Sequence, residues 1–204
     1  MNCKRVMGMR SFVLKDLPLT NVIHPIADYD RLDQILNAYA AYVSASDVAE
    51  GRYLKVVSFT FVTHGERILT VVKRGVPVLG FGRYCCYAQE NAAQSKKHVV
   101  IEECYKELDL YLPGMSYSLR IVGLLHSDDR QYDRTSIGCI FHAELNATMA
   151  DKVLDHRLLT LQYPQSVSQP LEGWSRAILD HVSMQSKMPG GEYAPQLSSE
   201  TGRP

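Results

Sequence analysis

Residues Tyr53 to Thr63 are crowded with β-branched and aromatic side chains, and this run limits the fold more than any other stretch. It reads as a strand. His64-Gly65-Glu66 follows as a turn, and Arg67 to Lys73 reads as the returning strand, so the centre of the chain predicts a hairpin. Gly75 and Pro77 lead to another short strand, Val78 to Tyr84, whose Gly80 and Gly82 suggest a bulge or a close backbone approach. Tyr117 to Leu125 and Thr135 to Leu145 add two strands, and Leu158 to Gln162 adds a shorter one.

Helical spacing surrounds these strands. Leu32, Ile35, Leu36, Tyr39 and Tyr42 recur at helical intervals after Asp28-Tyr29-Asp30, predicting a helix to about Val43. Ser44 to Gly51 reads as a connection. A short helix is expected around Ala147 to Leu154, and Leu171, Trp174, Ile178, Leu179 and Val182 mark a last amphipathic helix with Trp174 as its core anchor. Pro113-Gly114 ends the central helical region. Strands with helices before, between and after give an α+β fold, an α/β/α sandwich with a mixed sheet. The expected organisation is an extension over 1–50 carrying one helix packed on the main domain, a domain over 51–185, and a disordered tail over 186–204, where Pro, Gly, Ser and charges dominate.

Composition removes several function classes. Lys plus Arg equals Asp plus Glu at 22 each, so no global basic field is present to hold a nucleic-acid backbone. No apolar run is long enough to span a bilayer, and Lys4, Arg5 and Arg10 are not followed by the apolar stretch of a secretory leader. Cys3, Cys85, Cys86, Cys104 and Cys139 have no paired spacing. They read as free thiols in a reducing compartment, which makes the expected location cytoplasmic, with Cys104 and Cys139 in the core. No Walker loop, Gly-x-Ser-x-Gly elbow, His-x3-His or Cys-x2-Cys is present.

The segment Val99 to Leu110 carries the chemistry. It reads as an amphipathic helix in which Glu103 and Glu107, four residues apart, lie one turn apart on the same face. Ile101, Cys104 and Leu108 form a neighbouring stripe that would face a core. Two carboxylates so close repel unless something positive lies between them, and a divalent cation with oxygen ligands is one reason to keep the pair. A solvated acidic face is the other reading.

The segment resembles an eroded Nudix box, whose pattern is Gly-x5-Glu-x7-Arg-Glu-U-x-Glu-Glu-x-Gly-U with U aliphatic. On that pattern Glu102 takes the Arg position, Glu103 the first Glu and Cys104 the aliphatic slot. Lys106 takes the second Glu, Glu107 the third, Asp109 the Gly and Leu110 the last aliphatic. Fourteen residues upstream Ala88 stands where Gly should, and Gln94 stands at the upstream Glu. Val78-Leu79-Gly80-Phe81-Gly82-Arg83-Tyr84 is similar to the strand and turn that open the box in a predicted-phosphoesterase branch, with Arg83 and Tyr84 in place of Gly and His. Val122 to Asp129, Ser136 to His142, and Leu171-Glu172-Gly173-Trp174-Ser175 also look like that branch, so the resemblance covers roughly residues 50 to 185.

In that family, carboxylates of the box helix bind magnesium or manganese and water attacks a phosphorus. The resemblance implies Glu103 and Glu107 as catalytic metal ligands, with Glu90 as a stand-in for the missing upstream Glu. Arg83, Lys106, Asp128 and Asp129 are the implied substrate contacts. For Asp128 and Asp129 the alternative is a turn whose aspartates pair with Arg130 or Arg134, and His126 and His142 read as packing or surface positions. At 102 and 106 the charges are exchanged relative to the family. Glu before Lys at that spacing is the favourable direction on a helix, about 0.3–0.5 kcal/mol, so a charge pair survives while a ligand is lost.

Three readings follow. The first is a Nudix-fold protein with a degenerate box that binds a nucleotide-like small molecule or a protein partner with weak or no hydrolysis, and with no cofactor. The second is a divergent magnesium- or manganese-dependent phosphohydrolase of nucleoside diphosphate derivatives. The third is an assembly subunit, with the N-terminal 50 residues and the tail providing contacts; the oligomeric state is open, a homodimer among the options. No membrane or nucleic-acid partner is expected.

Overall fold

A computed structural model describes residues 5–13, 21–73, 76–87, 94–129, 134–146, 159–167, 171 and 173–185. The helix expected around Ala147 to Leu154, the tail over 186–204 and Glu90 all lie outside the described residues. Ten strands among those described form one sheet: β1 Val6–Arg10, β2 Val22–Pro25, β3 Ala40–Val43, β4 Tyr53–His64, β5 Arg67–Lys73, β6 Val76–Leu79, β7 Phe81–Tyr84, β8 Tyr117–His126, β9 Ser136–Leu145 and β10 Leu159–Gln162. The α-helices among the described residues are α1 Tyr29–Tyr39, α2 Ala45–Ala49, α3 Lys96–Tyr111 and α4 Trp174–Gln185.

The long central strand β4 organises the sheet. On one side β9 runs parallel to it from Lys55 to Thr63. On the other, three short antiparallel partners share it in succession: β1 against Tyr53 to Lys55, β7 against Val57 to Thr60, and β5 at Thr63 and His64. Successive side chains of a strand point to opposite faces. Leu54, Val56 and Val62 therefore join one core, while Val57 and Phe61 join the other. The first core lies under α1 and α3, and the second under α4, anchored by Trp174 at 3% exposure. The mixed sheet with helices on both faces is the expected architecture.

Boundaries differ at three places. Asp28 starts α1 as anticipated, its carboxylate accepting from the Arg31 amide at 2.8 Å. The helix stops at Tyr39, however, because Ala40 to Val43 pairs with β1 as a strand. Ser44 to Gly51, read as a plain connection, contains α2 with a reciprocal cap between Ser44 and Asp47. The expected strand Val78 to Tyr84 is broken at Gly80, whose φ is 99°, so β6 pairs with β5 and β7 pairs with β4. A Cβ at Gly80 would lie 2.5 Å from the Thr60 carbonyl oxygen, so only glycine fits this crossing.

Candidate functional site

Helix α3 begins behind Ser95, whose hydroxyl accepts from the His98 amide at 3.2 Å. Its inward face carries Val99, Val100, Cys104 and Leu108, each fully buried, together with Glu103 and Glu107 at 7% and 6% exposure. The two carboxylates are thus taken from water beside an apolar core. Desolvated anions at that spacing require positive partners close by. Of the neighbouring stripe, Cys104 and Leu108 are core, Ile101 packs against the core while half-buried, and Leu110 is 62% exposed rather than in an aliphatic slot.

Strand β7 supplies the main partner. Phe81 and Arg83 are two residues apart and share the face toward α3, whereas Tyr84 packs with the opposite core. Phe81 stacks on Tyr111 of α3 with ring centroids 4.6 Å apart, which holds β7 against the end of the helix. One turn back, Arg83 Nε donates to Glu107 Oε1 at 2.8 Å and lies 3.5 Å from Glu103 Oε2. Lys106 Nζ lies 2.9 Å from Glu102 Oε1 and donates to Glu103 Oε1 at 3.0 Å. Burial pulls the Lys106 ammonium toward neutrality, but its hydrogen bonds to Glu102 and Glu103 outweigh that and hold its pKa above the ordinary lysine value.

Arg83 is therefore neither added bulk in a turn nor a side chain directed away from the helix. The turn that demands glycine is at Gly80, and Arg83 sits in regular strand opposite Ser58. Sequence reasoning placed Arg83 and the glutamates in one site but missed their pairing.

Asp128 and Asp129 are elsewhere. They follow β8, which is separated from β7 by β4 and β9, a span of roughly 14 Å at about 4.8 Å per strand. The side-chain amide of Asn21 donates to Asp128 Oδ1 at 3.2 Å and to Asp129 Oδ1 at 3.4 Å. Asp129 Oδ2 accepts from the Gly173 amide at 3.0 Å, at the entrance to α4. Arg134 Nε donates to the Asp128 carbonyl oxygen. These aspartates join the β2 end, the loop and α4, and they do not come together with the helix carboxylates. Arg130 lies outside the described residues.

A second polar cluster, on the α4 face, was not singled out. Thr63 Oγ1 lies 2.6 Å from His142 Nε2 and donates to Glu144 Oε2 at 2.6 Å, while Arg120 Nε donates to His142 Nδ1 at 3.1 Å. His142 stacks on Phe61, with His181 edge-on to the same ring. Only the histidine at 142 was legible, as a residue in or beside a strand.

Cys85, Cys104 and Cys139 are free and buried, and Cys104 Sγ lies 2.9 Å from Thr60 Oγ1. Cys86 corrects the free-thiol expectation, because it is disulfide-bonded.

The divalent cation that the box implies finds a poor fit. Among the described residues no three His, Cys, Asp or Glu side chains gather as a metal-binding group. The two carboxylates that remain already face a guanidinium. No described helix is long and apolar enough to cross a membrane.

No family model matches the sequence, and no curated protein matches it. The structure is similar to the crystal structure of Tm1382, a candidate Nudix hydrolase, with a TM-score of 0.67 over 89% of this chain and 99% of that one. Sequence identity between the two is 15%, so the likeness speaks for architecture alone. The chain has a Nudix-like fold.

Proposed function

We propose that this chain is a Nudix-fold binding protein with an eroded metal site, taking a nucleotide-like or protein ligand with weak or no hydrolysis. The position of Arg83 carries this reading. Glu103 and Glu107 would have to present open oxygens for cation-assisted attack on phosphorus, and both are engaged by cations of the chain itself.

The same arrangement leaves groups suited to recognition. Arg83 meets the carboxylates through Nε, and the side chain is 34% exposed. A guanidinium has five N–H donors, so Nη1 and Nη2 remain as a fork for a phosphate or carboxylate. Lys106, with 43% of its side chain exposed, lies on the solvent side of the same turn. The persistence of Glu103 and Glu107 one turn apart supports the second reading, a divergent magnesium- or manganese-dependent phosphohydrolase.

Incubating the purified protein with magnesium or manganese and a panel of nucleoside diphosphate derivatives, beside Glu107→Gln, separates the two. The expected result is product formation no greater than in the Glu107→Gln control, with ADP binding seen by calorimetry in EDTA. Turnover that Glu107→Gln abolishes would remove the binding-protein reading and install the hydrolase.

A further inference from the structure

We infer that Arg83 is a resident counter-ion, a guanidinium standing between Glu103 and Glu107 where this fold would offer a place to a divalent cation. The inference rests on the binding-protein reading and adds that the chain holds its carboxylate pair together with no ion from solution.

Three features of the fold converge on this arrangement. The helix face that buries Cys104 and Leu108 also buries Glu103 and Glu107, so positive charge there is needed in every folded molecule, whatever ligand is bound. The strand that supplies the charge is placed by packing that involves no metal. Phe81 stacks on Tyr111, which lies one helical turn beyond Glu107, and Arg83, two residues along β7, then meets the preceding turn. Gly82, between them, lets β7 lie close against β4, since a Cβ there would stand 2.7 Å from the Phe59 ring and 2.8 Å from the Ser58 carbonyl oxygen.

The charge count agrees. Glu102, Glu103 and Glu107 face Arg83 and Lys106, which leaves one net negative charge in the cluster. A doubly charged ion entering beside Arg83 would meet a guanidinium held by Glu107 and an ammonium held by Glu102 and Glu103. It would have to displace Arg83 from its carboxylates, leaving the guanidinium unpaired, or take Glu103 from Lys106. An arginine covalently part of the chain competes at high effective concentration, so the incoming ion is at a disadvantage.

The consequence is that the folded chain should be indifferent to chelators, and that removing Arg83 should create a demand for a cation. Thermal unfolding of the full chain in EDTA and in millimolar manganese tests this, using the wild type, Arg83→Ala, Arg83→Lys, and Arg83→Ala combined with Glu107→Gln. The wild-type melting temperature should be the same in both buffers to within about 1 °C. Arg83→Ala should melt roughly 5–10 °C lower in EDTA, a span discounted because Arg83 is one-third exposed, and manganese should recover much of that loss. Adding Glu107→Gln should abolish the manganese response, and Arg83→Lys should retain most of the wild-type stability in EDTA.

Saturable stabilisation of the wild type by manganese overturns the inference, as does an Arg83→Ala protein that melts like wild type and ignores the ion. Should Arg83→Ala not fold, manganese calorimetry on the wild type and Arg83→Lys decides: stoichiometric binding to the wild type overturns it, and no binding to either supports it. Nucleotide turnover by the wild type would sink the binding-protein reading irrespective of these curves. An Arg83→Ala chain unresponsive to manganese sinks the resident counter-ion alone.

Discussion

Arg120 Nε donates to Nδ1 of His142 across 3.1 Å, and that contact fixes the protonation of the ring. An arginine cannot accept, so Nδ1 must be the bare nitrogen and the imidazole is neutral with its proton on Nε2. Thr63 gives its own proton to Glu144, so its hydroxyl oxygen receives Nε2–H. The ring cannot then act as a base toward Thr63, and the trio is a structural tie between β4, β8 and β9.

Acid should loosen this tie. Burial pushes the His142 pKa down, and the nearby Arg120 adds to that against the opposing pull of Glu144. Burial, Arg120 and His142 take His181 down to about 4. A base whose pKa is lower when folded binds fewer protons than its unfolded counterpart between the two values, so stability is lost there as the pH is lowered. The window opens at about 6.5, the ordinary histidine value, and extends toward 4. Glu144 lies at about 2, its contacts with His142, the Thr63 hydroxyl and the Gly65 amide outweighing desolvation, so its contribution is lost as pH falls from about 4.5. Urea midpoints measured at pH 7, 6 and 5 should decline steadily, and the decline should flatten in His142→Gln. An unchanged slope in that variant would remove His142 from the account.

Gly80→Ala should be among the costliest single changes in the chain. Its φ of 99° is unfavourable for any L side chain, and the new methyl would press on the Thr60 carbonyl and the Phe59 ring. Strain of this kind costs about 1–3 kcal/mol before the overlap is counted, so a loss of about 3 kcal/mol or more is expected. The damage should extend to the site, because β7 starts at the next residue and carries Arg83. Denaturant unfolding gives the magnitude, and a loss under about 1 kcal/mol would show that the crossing relaxes freely.

How far the sequence disclosed all this depended on how local each cause was. The hairpin of β4 and β5 and the amphipathic α3 were legible because side-chain alternation and helical spacing are written within a dozen residues. Asp28 and Pro113-Gly114 marked helix ends for the same reason. The switch from α1 to β3 at Ala40 was not legible, since it depends on register with Val6 to Met9, more than thirty residues away. The pairing of Arg83 with Glu107 was hidden in the same manner. It needs the break at Gly80, the register of β7 on β4 and the Phe81–Tyr111 stack, none of which a residue count between the two can reveal.

Buried thiols should be inert. Burial pushes Cys104 and Cys139 up to about 12, and Cys85 well above its usual range. The thiolate is the nucleophile, so iodoacetamide at pH 8 should leave these three unmodified in the folded protein and alkylate them in urea. Peptide mass mapping reads the result, and rapid native labelling of Cys104 would contradict its packing against Thr60.

Asp129→Ala should separate stability from recognition. The carboxylate accepts from Gly173 N–H at the start of α4 and from Asn21, a residue held at φ 61°. Its loss strips a capping acceptor, which typically costs about 0.5–2 kcal/mol, and frees the Asn21 side chain as well. The expected result is a lower urea midpoint of about that size. ADP affinity by calorimetry should stay within twofold of wild type, because Arg83 and α3 lie three strands away. A tenfold loss of affinity with the midpoint unchanged would instead return Asp129 to the ligand site and place the binding surface at the β2 end of the sheet.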